Sequence, residues 1–406
     1  MRQVYSFQFH KPTNPDVYKF LYENCIFSGK LYNQALDLLL KGIETKEYEN
    51  ICTLDAKLKN LHSPENFYRK LKAQVAQQII KMSQKSCQTF FKSLSVYNKN
   101  PKKCTGRPNL PKQVSIYHLI YTSQCSSIKN GYIFLDKTHK IFIPQYNVYK
   151  ERLKNFKQIR ILPRRYYFKI EIVYDIQGAN ENVDTSKYAS IDFGLNNLCT
   201  LFLENECPEL ITGRDIKSIN KYYHKKKAKI QTIRNDKPLF QKQLEKLYTY
   251  RENHINDKFH KVSRYIVKRL LELGIGTLVI GYNKGWKDSI NIGKKNNQNF
   301  CSIPHWKLLQ MILYKCSLVG IMVITHEESY TSKCDSLAFE SIEKHDSYTG
   351  VRMKRGLFQS SIGDLINADV NGALNILRKC KGDEEFKRIL PACKGFLFNP
   401  IKIRVC

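Results

Sequence analysis

Two aspartates stand where a chain can do metal chemistry. The stretch Tyr188-Ala-Ser-Ile-Asp-Phe-Gly-Leu-Asn-Asn-Leu-Cys-Thr-Leu-Phe202 reads as an apolar strand, a tight break at Gly194 and a second strand from near Leu198. Asp192 therefore sits where the first strand ends and meets solvent, a position open to a metal ligand and equally to a turn aspartate. Far downstream, Leu365-Ile-Asn-Ala-Asp-Val-Asn-Gly-Ala-Leu-Asn-Ile-Leu377 puts Asp369 in the first turn of an apolar helix. Val370, Ala373, Leu374 and Leu377 make the face that helix buries. Carboxylates together with phosphate oxygens are the ligand set Mg²⁺ prefers. The chemistry such a pair opens is the binding of a divalent cation.

Composition supports a polyanionic partner. The chain has 406 residues, room for two or three domains with their own cores, and its apolar fraction of 42% is globular. Sixty-seven Lys and Arg stand against 36 Asp and Glu, a formal net charge of +31 spread too widely to be one tail. Nucleic acid is the first candidate for such a surface. A membrane partner is not expected, because no stretch approaches ~20 apolar residues. The N-terminal Met1 to Phe9 alternates like a strand and carries no secretory core, so no signal peptide is expected. Thirteen scattered cysteines without a Cys-x-x-Cys pair predict reduced thiols inside a cell, and the expected location is cytoplasmic and nucleoid-associated.

The elements that must position the acids follow in chain order. Val4 to Phe9 is a strand, and residues 11–113 hold a helical module with apolar residues at helical spacing from Val17 to Leu39. Ser63-Pro64 reads as the start of a further helix running to about Val96. A basic, proline-bearing loop follows through Arg107 and Lys112. From Val114 the period changes to that of strands, with a hairpin signal at Asn130-Gly131. A basic run ends at Arg164 and Arg165, ahead of a strong strand over Tyr166 to Tyr174. A polar stretch from Gly178 to Thr185 marks a domain boundary. Lys217 to Leu273 reads as a very long helical segment, most basic around Lys225 and Lys226. Gly276 to Tyr282 is a buried strand leading into a loop with Lys284 and Lys287. After a helix from Ser302-Ile-Pro304, a strand at Ile321 to Thr325 ends in Glu327 and Glu328. Past Lys379, polar residues with Pro391 and Pro400 predict a loosely held C-terminus.

Asp192-Phe-Gly-Leu-Asn-Asn and Asn367-Ala-Asp-Val-Asn-Gly-Ala-Leu-Asn-Ile resemble the first and third RuvC motifs of the TnpB family, RNA-guided endonucleases of insertion sequences. The resemblance covers most of the chain in order and spacing. It implies an α+β, multidomain protein: a RuvC, RNase-H-like nuclease domain at residues 181–332 and 364–406, and a split wedge-type β-barrel at 1–10 and 114–180. Residues 11–113 would be the inserted recognition module. Most such proteins carry a glutamate at the end of the second RuvC strand, where this chain has Gly281 with Asp288 as the nearest acid. A branch of the family, and the similar Fanzor proteins, carry a relocated glutamate in Glu-x-Tyr-Thr-Ser-Lys. That spacing selects Glu328, with Glu327 as the fallback.

The resemblance then implies Asp192, Glu328 and Asp369 as the catalytic ligands of two Mg²⁺ ions. It also implies a guide RNA from the protein's own locus and double-stranded DNA as the target. Residues 333–363 occupy the position of a zinc ribbon, which needs four ligands. Only Cys334 is present, with His326 and His345 nearby, so zinc is not expected. The insert is expected to persist as a basic hairpin with Arg352 and Arg355 on nucleic acid, and Arg107, Lys112, Arg164, Arg165, Lys225, Lys226, Lys284 and Lys287 are further candidate contacts. Two other functions share these features: a nuclease-dead RNA-guided DNA binder, favoured by Gly281, and a DNA transposase performing strand transfer.

Overall fold

The computed structural model describes residues 2–45, 49–104, 106–176, 178, 182–232, 238–283, 285 and 293–405. Lys284, Lys287 and Asp288 lie outside the described residues. The chain divides into two compact units, 1–177 and 178–406.

In the first unit, β1 (Arg2–His10) is followed by α1 (Pro15–Thr45), α2 (Ile51–Lys59) and α3 (Ala73–Lys99). Then come β2 (Leu119–Thr122), β3 (Ser127–Lys129), β4 (Tyr132–Phe134), β5 (Lys140–Phe142), α4 (Tyr146–Leu153), β6 (Phe156–Pro163) and β7 (Tyr167–Asp175). One sheet runs β1-β7-β6-β2, and β3, β4 and β5 form a second. The chain's first strand thus pairs antiparallel along its whole length with β7, Arg2 opposite Asp175 and His10 opposite Tyr167. The helices and both sheets bury their apolar residues in one shared core, from Leu21 and Ile79 to Ile133 and Ile170. Ser63-Pro64 does not start a helix. Buried Asn66 donates from Nδ2 to Lys59 O (3.1 Å) and Leu61 O (2.8 Å), satisfying turn carbonyls in place of helical N–H groups. The helix begins at Ala73, where Val75, Ala76, Ile79 and Ile80 become buried.

The second unit contains β8 (Asp184–Phe193), β9 (Asn197–Leu203), β10 (Glu209–Thr212), α5 (Arg214–Gln231), α6 (Pro238–Glu272) and β11 (Ile275–Gly281). It continues with α7 (Lys294–Cys301), α8 (His305–Leu318), β12 (Met322–His326), β13 (Val351–Lys354), β14 (Leu357–Gln359), β15 (Leu365–Ile366), α9 (Ala368–Lys381), α10 (Asp383–Leu397) and β16 (Ile401–Ile403). The main sheet has the order β12-β11-β8-β9-β10-β16. Its three strands β12, β11 and β8 are mutually parallel, so their C-terminal ends share one edge. Both faces are covered. Leu278 and Ile280 pack with Phe259, Ile266 and Leu308 of α6 and α8, and Val279 packs with Val370, Ala373 and Leu377 of α9. That is the alternation a strand buried on both faces requires.

The long helical segment comprises two helices, α5 and α6, packed against each other. One expectation is corrected in this unit. The C-terminus is not loosely held: Phe386, Ile389, Cys393 and Leu397 recur at helical spacing and are buried, and β16 pairs with β10. Pro391 lies inside α10, so the helix tolerates it. Among the described residues no helix is long and apolar enough to cross a membrane.

Candidate metal centre

Asp192 is the penultimate residue of β8 and ends beside the N-terminus of α9. A Cβ placed on Gly372 of α9 would lie 2.7 Å from Asp192 Oδ2, so only glycine leaves that space to the carboxylate. Ser190, two residues earlier on the same face, donates its hydroxyl to Ala373 O at 2.6 Å and locks β8 to α9. Asp369 is the second residue of α9. Its helix is capped by Asn367, whose Oδ1 accepts from Asp369 N (2.9 Å). Asn197, the first residue of β9, donates to Asp369 Oδ2 at 2.7 Å.

Glu328 follows β12 by two residues. Gly281 ends β11 opposite His326, and there the missing acid is accounted for. A Cβ on Gly281 would fall 2.6 Å from Glu328 Oε2 and 2.5 Å from Ile376 Cδ1. The glutamate from the neighbouring strand end fills the space that a side chain at 281 would occupy. Restoring glutamate at 281 beside it is therefore sterically closed. Asn283 Oδ1 accepts from Glu328 N at 2.9 Å, and Thr331 donates from its N (3.3 Å) and Oγ1 (2.8 Å) to Glu328 O. Glu328 Oε2 is buried and receives no hydrogen bond. Glu327 is turned elsewhere: it is exposed, paired with Lys379, and accepts from Ser329 N at 2.8 Å.

The electrostatics raise two of the carboxyls, Asp192 and Glu328. Burial, then the charges of Glu328 and Asp369, hold the Asp192 carboxyl well above its ordinary value, with Arg352 opposing. Burial, then the charge of Glu327, pushes Glu328 up to about 7, with Lys379 opposing. Raised carboxyls such as Asp192 and Glu328 are under-compensated, and a cation bound between them would favour their ionised forms. As the side chains stand, no three His, Cys, Asp or Glu among the described residues close into a ligand cage. The donor set nevertheless fits a hard divalent cation. It is all oxygen, it includes one orphaned buried oxygen, and it is framed by two glycines that give the carboxylates room.

The candidate nucleic-acid contacts fall in different places. Arg107 and Lys112 are exposed beside α3 in the first unit, lining shallow grooves with Lys92 and Lys85 respectively. Arg164 and Arg165 are exposed at the turn between β6 and β7. Lys225 and Lys226 lie exposed on α5, and the Lys226 ammonium lies 5.8 Å from the Tyr222 ring centre. Arg352 and Arg355 belong to the expected hairpin, built by β13 and β14 around Gly356 with φ +81°. Arg352 Nη2 stands 3.9 Å from Asp369 Oδ1, so the hairpin reaches the carboxylates themselves. Asn197, Asn283, Gly372 and Thr331 escaped sequence reasoning. Asn197, Thr331 and Gly372 sit inside the quoted motifs, but nothing in their spacing tells a hydrogen-bonding partner from a neighbour.

The chain is similar to known proteins in sequence and in fold. Residues 171–287 match a family model described as a probable transposase (OrfB of IS605), and residues 305–376 match the Cas12f1-like TNB domain. A TnpB-like protein of Acidianus two-tailed virus is 26% identical over 219 residues, 48% of this chain and 42% of that protein. The CRISPR-associated endodeoxyribonuclease Cas12f1 of Sulfoacidibacillus thermotolerans is 26% identical over 228 residues, covering 52% of this chain and 50% of that one. The matches span about half the length of these curated relatives. The solved Cas12f1–sgRNA–target DNA complex superposes with a TM-score of 0.59 at 15% identity, over 90% of this chain and 84% of that one, a likeness of fold. The chain is thus similar over residues 171–287 and 305–376 to the OrfB transposase and Cas12f1-like families, and over about half its length to a TnpB-like protein and a Cas12f1.

Proposed function

We propose that the protein is an RNA-guided DNA endonuclease that hydrolyses phosphodiesters with Mg²⁺ at a RuvC-type site. The observation that carries this reading is the seating of Glu328 over Gly281, beside Asp192 and Asp369. A nuclease that had merely lost its second acid would have no reason to fill that space with a carboxylate whose burial costs stability. Asp192, Glu328 and Asp369 would hold the ions, which activate water and stabilise the leaving oxygen when bound. Around them the chain's own residues fix orientation. Asn197 aligns Asp369, Asn283 and Thr331 fix the Glu328 backbone, and Gly281 and Gly372 leave room for the carboxylates. The net charge of +31 fits binding of the guide from the protein's own locus and of double-stranded target DNA through their phosphates. Sequence would be read by base pairing, not by the protein.

The deciding experiment purifies the protein with its co-purifying RNA and supplies matched DNA with and without Mg²⁺. Mg²⁺-dependent cleavage of matched DNA alone supports the reading. Guide-dependent binding without cleavage makes it a DNA binder. Joining of DNA ends makes it a strand-transfer enzyme.

A further inference from the structure

Helix α9 is buried on more than its apolar side. Asn371, Asn375 and Arg378 follow one another at four- and three-residue spacing, a single stripe, and are 0%, 0% and 2% exposed. Buried polar groups are costly unless their bonds are made, and here they are made to the insert. Asn371 Nδ2 donates to Cys334 O (2.9 Å), and Asn375 Nδ2 donates to Cys334 O (2.6 Å) and Thr331 O (2.9 Å). Arg378 donates to Glu340 O (3.0 Å), Asp335 O (3.4 Å), Asn375 Oδ1 (2.9 Å) and Asp383 Oδ1 (2.8 Å). Its guanidinium lies 5.5 Å from the Phe339 ring and 6.0 Å from that of Phe386.

The insert answers with a carboxylate of its own. Asp335, fully buried, accepts from Leu337 N (3.1 Å), Ser360 Oγ (2.7 Å) and Ser361 N (2.7 Å), which ties the loop to the far end of the β13–β14 hairpin. Glu340 accepts from Asp335 N and Thr349 N, both at 2.7 Å. A loop without regular structure is thereby cross-linked through one helix, the service a structural metal gives. Both ends of the network touch the carboxylate site. Thr331, held by Asn375, donates to Glu328 O, and the hairpin tied to Asp335 presents Arg352 to Asp369.

We propose that this asparagine–arginine clasp replaces a metal as the organiser of residues 331–363 and positions Glu328 and Arg352. The positioning half rests on the nuclease reading; the organising half does not. Hydrogen exchange on the full chain, dialysed exhaustively against EDTA, tests the second. The amides of Asp335, Ser336, Leu337 and Ser361 stay protected in the parent, and exchange at least tenfold faster in Arg378→Met, with Ile191 and Leu278 unchanged. Should Arg378→Met not fold, Glu340→Ala opens the same loop without touching α9. EDTA-induced loss of protection in the parent, or unchanged protection in these variants, overturns the clasp.

Mn²⁺ binding read by electron paramagnetic resonance, beside Mg²⁺ titration of cleavage, tests the positioning half. Asn375→Ala weakens both about tenfold, the effect of removing a partner behind a metal ligand, and excess Mg²⁺ restores the rate. A rate loss that Mg²⁺ does not restore, with Mn²⁺ affinity unchanged, shows that Asn375 does not position the ligand. A parent that binds no Mn²⁺ sinks the positioning half with the nuclease reading, while hydrogen exchange still judges the clasp.

Discussion

Replacing Glu328 by glutamine should remove cleavage and stabilise the metal-free fold at once. Glu328 titrates near 7 in the folded protein against an ordinary value of 4.5. Two to three pKa units correspond to roughly 3 kcal/mol. The sign follows from linkage. A carboxyl whose folded pKa is raised binds its proton more tightly in the native state, so its contribution is fully present below about 4.5 and is lost as pH rises through about 7. The apo parent therefore pays for an ionised, buried Glu328 above pH 7, and the glutamine variant does not. At pH 8 apo Glu328→Gln should be the more stable by up to about 3 kcal/mol, and the advantage should vanish near pH 4. For a unit of this size that is a shift of roughly 6–12 °C at the melting midpoint. Mg²⁺ should raise the parent's midpoint at pH 8 by mass action and leave the variant's nearly unmoved. Differential scanning calorimetry across pH 4–8, with and without Mg²⁺, reads all of this. RNA binding and target recognition should persist, because guide pairing does not use the metals. Parental cleavage by Glu328→Gln, or an equal Mg²⁺ response in both proteins, would refute the assignment. Loss in Glu327→Gln alone would show the ligand to be one residue earlier.

Gly281→Ala should cut cleavage by more than tenfold and cost about 1–3 kcal/mol, since its Cβ meets Ile376 Cδ1 and Glu328 Oε2. Adding Ile376→Val should recover stability but not cleavage, as read by thermal melts beside a nuclease assay. Asp192→Asn and Asp369→Asn should each abolish cleavage of matched DNA while leaving the RNA complex intact on gel filtration. Affinity for the co-purifying RNA should fall steeply between 50 and 200 mM salt, and a flat salt response would argue against phosphate-dominated binding. Elemental analysis should find no tightly held zinc; one zinc per chain would show that residues 333–363 bind metal after all.

Local patterning made much of this protein legible. Apolar alternation and the Asp-x-Gly break located β8 and Asp192, and helical spacing located α9 and Asp369, because strand and helix periods are written residue by residue. Net charge is a property of composition alone and needed no fold. Helix limits are not legible where side chains supply the bonds, as Asn66 does after Ser63-Pro64, and Pro391 and Pro400 mask the helical spacing of Phe386, Ile389 and Cys393. What only the tertiary structure decided is the meaning of Gly281. In the sequence it is a missing acid. In the fold it is the cavity that Glu328 fills, because parallel pairing of β11 with β12 brings residue 281 opposite 326 across 45 positions of chain. Likewise the buried stripe of Asn371, Asn375 and Arg378 reads as ordinary helix polarity until the loop it holds is laid against it. Long-range contacts of this kind are set by sheet register and helix packing, and no local period encodes them.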